Sequence, residues 1–171
     1  MKIFFLLLFI LSLVGCESSK ISKEKIVATT CPKVLFASEH RYYVDIPKLP
    51  STLENITYKA EINNSIFSEG CFRSDNTFLS QLSILFVVYP EDVVDKDIFL
   101  PFYVAIIDSK DKLTNLEFYE LNGEFNTQED TENFIETELI KDISIKLTNS
   151  NDQITVILGF MLDNTKIELL N

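Results

Sequence analysis

The sequence predicts an all-β protein, an antiparallel immunoglobulin-like β-sandwich of about seven to eight strands with one or two short helices. Three observations carry this expectation. Beyond residue 30 the apolar residues recur with a period of two rather than 3.6. Short clusters of Asn, Asp, Ser and Pro separate the runs. Few connections have room for an amphipathic helix, so one sheet must bury its apolar face against another.

Taken along the chain, Tyr42–Ile46 is the first strand candidate. Next, Ile56, Tyr58, Ala60 and Ile62 alternate with Thr57, Lys59 and Glu61, and Ile66–Arg73 follows. Leu82, Ile84, Phe86 and Val88 interleave with Ser83, Leu85, Val87 and Tyr89, a pattern that calls for cover on both faces. Phe99–Asp108 and Leu113–Leu121 come next. Ile143, Ile145 and Leu147 then alternate with polar residues, and Ile154, Val156, Leu158, Phe160 and Leu162 make the longest one-sided stripe. Turns are expected at Asn63-Asn64, Ser74–Asn76, Pro90–Asp92, Ser109–Lys112, Asn122-Gly123 and Asn149–Asp152. Asn122-Gly123 is the strongest hairpin signal among them. Short helices are expected at Glu129–Thr137, where acids crowd the first turn, and near Asp163–Leu169.

Composition narrows the class. The chain has 171 residues, 46% hydrophobic and 24% charged, with only four Gly and five Pro, which excludes collagen-like and largely disordered proteins. A net charge of −11 argues against a nucleic-acid partner. The charge is uneven: residues 17–60 hold seven basic and five acidic side chains, residues 111–171 four and thirteen.

The N-terminus explains the odd number of cysteines. Lys2 precedes an apolar run, Ile3–Leu13, that is shorter than the roughly 20 residues of a membrane-spanning helix. Its length suits the core of a signal peptide. The run ends in Leu13-Val14-Gly15-Cys16, which resembles the lipobox of bacterial lipoproteins. That resemblance implies cleavage before Cys16 and acylation of its sulfur and new amine. Two or three acyl chains, at about 0.8 kcal/mol per buried CH2, make a lasting membrane anchor. The expected organisation is a cleaved signal peptide over 1–15, a lipidated Cys16 with a Ser- and Lys-rich flexible tether over 16–30, and a sandwich domain over 31–171.

Removing Cys16 leaves Cys31 and Cys71, and the compartment outside the cytoplasmic membrane permits disulfides. Neither belongs to a C-x-x-C, so a structural bridge is the expectation. Two buried free thiols, or a metal or redox pair, are the alternatives.

Three further stretches resemble a family of uncharacterised alphaproteobacterial lipoproteins. They are Cys31-Pro32-Lys33-Val34-Leu35, the aromatic strand Phe99–Asp108, and Leu158-Gly159-Phe160-Met161-Leu162 with its polar, helix-like tail; Gly70-Cys71-Phe72 also fits. The chain departs from that family at Tyr89-Pro90-Glu91, where the family usually carries Arg-Gly-Pro. The resemblance implies an address and a fold, with no activity attached.

No recognisable chemistry stands out, and no catalytic residue, cofactor or metal site is expected. The one His, His40, sits between Glu39 and Arg41 and reads as a solvated loop or strand-end residue rather than a base. One His and two bridged Cys cannot make a zinc site, and Gly70, Gly123 and Gly159 are too isolated for a phosphate loop. Asp92–Asp97 and Glu129–Glu132 lack calcium-loop spacing and read as solvated loops. The sequence therefore points to a non-enzymatic lipoprotein of the cell envelope. It would be held to the inner or outer membrane through Cys16, face the periplasm, and bind an envelope protein. A domain binding a small ligand or lipid in a cavity between the sheets is the alternative.

Overall fold

The computed structural model describes residues 25–46, 52–92, 96–128, 133–148 and 153–170. Cys16, the apolar run before it and residues 129–132 and 149–152 lie outside the described residues.

The chain folds as an all-β sandwich. Its strands are β1 (Ile26–Thr29), β2 (Lys33–Phe36), β3 (Tyr42–Asp45), β4 (Tyr58–Ser74), β5 (Thr77–Pro90), β6 (Asp97–Ile107), β7 (Leu113–Glu124), β8 (Asn126–Thr127), β9 (Phe134–Ile135), β10 (Thr137–Thr148) and β11 (Thr155–Phe160). Among the described residues one α-helix is present, α1 (Asn164–Leu170), at their C-terminal end. The first sheet has the order β1-β4-β5-β10, with β3 pairing the other end of β4. The second runs β2-β11-β6-β7, and β8-β9 is a two-residue ribbon. All pairings are antiparallel except β2 with β11, which is parallel. The strands beyond the expected seven or eight are short: β1 and β2 have four residues each, β8 and β9 two.

The period-two stripes are the core. Ile62, Leu82, Ile84, Phe86 and Val88 from the first sheet meet Leu100, Phe102, Val156, Leu158 and Phe160 from the second, all fully buried. The Phe86 ring lies 5.1 Å from Phe102 and 5.7 Å from Phe160, spacings typical of favourable aromatic pairs. Tyr58 joins the sheets by polar contact. Its hydroxyl donates to the Phe99 carbonyl at 2.9 Å and accepts from the Phe99 N–H at 3.1 Å. Phe99 lies beyond the stretch of β6 that pairs with β11, so the phenol stands in for a neighbouring strand.

Cys31 and Cys71 form a disulfide with Cα atoms 5.2 Å apart, tying the β1–β2 link to β4. The helix at the C-terminal end follows the sequence expectation closely. Asp163 caps it by accepting the Lys166 N–H at 2.9 Å, and the Lys166 ammonium sits 4.4 Å above the Tyr43 ring.

Several local expectations need correction. Asn63-Asn64 is a β-bulge inside β4 rather than a turn, so two expected strands fuse into one of 17 residues. Asn122-Gly123 lies within β7, opposite Phe99 and Ile98. The Leu139 side chain crosses over Gly123 so closely that an added Cβ would sit 2.7 Å from its methyl groups. The glycine therefore serves close packing rather than a turn. The helix expected at Glu129–Thr137 is absent over its described part, where Phe134–Ile135 is β9 and Thr137 opens β10. Residues 26–29, placed in the tether by the sequence reading, pair with Cys71–Ser74 as β1.

Candidate functional site

In a sandwich the outward side chains of each strand are expected to be polar. The first sheet follows this rule in part. Lys59 pairs with Glu91 at 2.7 Å, Arg41 with Glu61 at 2.6 Å, and Ser83 donates to Asp142 at 2.5 Å across neighbouring strands. Its exposed Ile66 stands in a row with Ser83 and Asp142, and the neighbouring row joins Asn64, Leu85 and the exposed Ile140.

On the second sheet the outward apolar residues form whole rows. Alternation directs Val34, Val156, Val104 and Tyr119 inward, which leaves the intervening residues outside. Register then assembles them into rows. Leu35, Ile157, Ala105 and Leu116 face one another across all four strands. The next row is Gly159, Tyr103 and Phe118, and the row on the other side ends in Ile107 and Leu113. Phe118 is 62% exposed, Leu113 52% and Leu116 42%. Phe99 and Met161, both exposed, extend the patch beyond Pro101. Acidic residues border it at Glu120, Asp97 and Glu124, the last paired with Lys96 at 2.8 Å. Among the described residues the face also runs to an unpaired edge: β7 is the last strand of its sheet, and carries no Lys or Pro of the kind that blunts an edge.

One margin is built by His40. The sequence suggested a solvated residue, but the 3-10 turn Ser38–His40 folds back on β11 through the Ala37 N–H to the Leu158 carbonyl at 2.9 Å. His40 Nδ1 lies 2.9 Å from the Phe160 carbonyl, an acceptor, so Nδ1 carries the proton. Its ring meets Tyr103 edge-on at 5.8 Å. Both side chains lie over Gly159, where an added Cβ would fall 2.6 Å from Tyr103 and 2.9 Å from His40. Burial under this cover raises the Tyr103 pKa. His40 is thus a packing bracket, with no carboxylate or nucleophile hydrogen-bonded to it in the described region.

The inward side of β7 carries a polar network. Tyr119 Oη donates to Glu117, and Asn115 donates to the other Glu117 oxygen at 2.8 Å. These bonds, from Tyr119 first and Asn115 second, hold the Glu117 carboxyl below its usual range. The space beside them, against Val104 and Ile145, is a void of only about 10 Å³.

Among the described residues no group of three His, Cys, Asp or Glu is placed to hold a metal ion, and no helix is long and apolar enough to cross a membrane. Of the site residues expected from sequence, the structure joins Cys31 to Cys71 as a disulfide. Cys16 is outside the described residues. The apolar face was missed by sequence reading, although each of its strands shows apolar residues on both parities, as in Phe99–Ile107. No family model matches the chain, and no curated protein or solved structure is significantly similar to it.

Proposed function

We propose that this protein is a lipid-anchored lipoprotein of the bacterial cell envelope whose sandwich is a non-enzymatic docking module for another envelope protein. The observation that carries the docking reading is the apolar outer face of β2-β11-β6-β7, where Leu35, Ile157, Ala105 and Leu116 stand side by side across four strands. Contiguous exposed apolar surface with a polar rim is characteristic of interaction sites. The Glu120 and Asp97 margin favours a partner with a basic surface around its own apolar centre. The β7 edge, unpaired among the described residues, adds backbone groups to which a partner strand can pair. The lipidation reading, and with it the kinship to alphaproteobacterial lipoproteins, rests on Leu13–Cys16 and the stretches quoted above.

A photo-crosslinking residue at Phe118 in the membrane-anchored protein should give a discrete protein adduct in living cells, while the same residue at Ser83 on the opposite face should not. Equal labelling from both positions, or none from either, would overturn the docking reading. Separately, Cys16→Ser should abolish incorporation of radiolabelled palmitate. Retained label would remove the lipid anchor from the proposal.

A cavity between the sheets would support ligand binding instead. The interior around Phe86, Phe102 and Phe160 is filled, which favours the surface over the core as the working part.

A further inference from the structure

Strand β1 gains little from packing. Its four residues pair antiparallel with Cys71–Ser74 of β4, yet Ile26 is 62% and Val27 43% exposed, and only Thr29 is half-buried. The disulfide stands where this pairing ends. Thr29 is in register with Cys71, and Cys31, two residues further on, is bonded to that same cysteine. The chain is secured again from Lys33, where β2 joins β11 and Val34 and Phe36 pack against the core. The bridge thus confines residues 26–32 to β4. Without it, a short strand with exposed side chains has to hold its ladder against the conformational entropy of a free chain.

The two cysteines differ in access. Cys71 is 3% exposed, whereas Cys31 is half-buried and lines two clefts, one with Thr29 and Lys33 and one with Val34 and Ile66. A place for a released thiol is also present. Ser80 Oγ lies 3.4 Å from Cys71 Sγ and donates its own proton to the Gly70 carbonyl at 2.8 Å, which leaves a lone pair for a Cys71 S–H. We propose that the Cys31–Cys71 bridge is a redox-operated latch on β1, opened by a dithiol such as that of a thiol–disulfide oxidoreductase. One thiolate of the dithiol attacks Cys31 Sγ, the S–S bond breaks, and Cys71 leaves as a thiolate that takes up a proton. The second thiol, losing its proton, then displaces Cys31 from the mixed disulfide. The dithiol ends as a disulfide and the protein as two thiols, having received two electrons and two protons. Opening releases residues 26–32 and frees the Cys71–Ser74 edge of β4. Where Cys16 is lipidated, the chain from the anchor to the first held residue grows from ten residues, ending at Ile26, to seventeen, ending at Lys33. Its greatest reach rises from about 35 to about 60 Å of extended backbone. That last consequence rests on the lipid anchor, and the latch itself does not.

The test is hydrogen–deuterium exchange, read by mass spectrometry on the full chain in neutral-detergent micelles before and after treatment with dithiothreitol. In the reduced protein residues 26–32 should exchange at least about tenfold faster than in the oxidised protein, while residues 82–88 of β5 stay protected over the same interval. Reoxidation with diamide should restore the slow exchange. Glutathione, a monothiol, should form its mixed disulfide on Cys31. Cys16→Ser should leave the release unchanged, so that failure of the lipid reading shows separately in the palmitate label. Unchanged exchange at 26–32, exchange of 26–32 and 82–88 together, or a bridge that resists dithiothreitol until denaturant is added would each overturn the latch. A glutathione adduct on Cys71 instead would overturn the assigned point of attack.

Discussion

Tyr58 shows how one side chain can replace a missing strand. Its ring is part of the core, yet its hydroxyl both donates to and accepts from the backbone of Phe99 on the opposite sheet. Removing the hydroxyl alone leaves the Phe99 N–H and C=O without this partner while preserving the ring's volume. Tyr58→Phe should therefore cost about 1–3 kcal/mol in urea denaturation. A loss under about 0.5 kcal/mol would mean that water replaces the phenol. Gly159 makes the complementary point. Its lack of a side chain lets His40 and Tyr103 pack close over β11, and the positions of both rings depend on that absence. Sequence alone placed His40 in solvent because its chain neighbours are charged. The Phe160 carbonyl that holds it is 120 residues away, and local sequence carries no sign of such a contact.

At the level of elements, the strands were legible and their ends less so. The alternation in Leu82–Val88 and Ile154–Phe160 placed the inner faces of β5 and β11 correctly, because burying one side of a pleated strand imposes period two. Asn63-Asn64 and Asn122-Gly123 misled for one reason. Turn-forming residues are also tolerated where a strand bulges or where a neighbour crosses closely, and the choice is made by Phe86 and Leu85 opposite the first and by Leu139 above the second. Glu129–Thr137 misled because acids clustered near a helix start stabilise that helix only if its other face finds apolar cover. Phe134 finds it as a strand residue instead, 5.6 Å from Phe125. The disulfide was expected from counting cysteines, and it fixes the short, largely exposed β1 and its link to β2. Closing this loop, with its sequence separation of 40, should contribute up to roughly 4 kcal/mol. Reduction should therefore lower the denaturation midpoint, and a Cys31→Ser, Cys71→Ser protein should match the reduced wild type. Identical midpoints in oxidised and reduced protein would remove the bridge from the account of stability.

For the whole molecule, the charge balance and the buried phenols set how stability follows pH. Burial, followed by the hydrogen bond and the charge of Glu117, pushes the Tyr119 pKa up to about 12. Burial raises Tyr43 and Tyr58 as well, with the negative charge of Asp45 adding to both. The unfolded chain ionises its tyrosines near pH 10 and releases protons that the folded chain retains. The Tyr119 contribution should hold below about pH 10 and disappear as the pH rises toward 12. Glu117 acts with the opposite sign. Its lowered pKa makes a contribution that is present at neutral pH and fades as acid protonates the folded carboxylate. Phenolate absorbance and circular dichroism followed together on an alkaline titration should change in one step for the buried tyrosines. Phenolate appearing well before the fold is lost would contradict the burial of these rings.

The sequence by itself determined the all-β class, the inward stripes, the pairing of Cys31 with Cys71 as the expected bridge, and the C-terminal helix. Each depends on spacing along the chain or on counting. Only the tertiary structure decided which outward residues become neighbours. Leu35, Ile157, Ala105 and Leu116 come from four separate stretches. Strand order and register place them on one face. A repeat of two along each strand reports which side a residue takes, while the identity of its lateral neighbours is fixed by hydrogen bonds between distant segments.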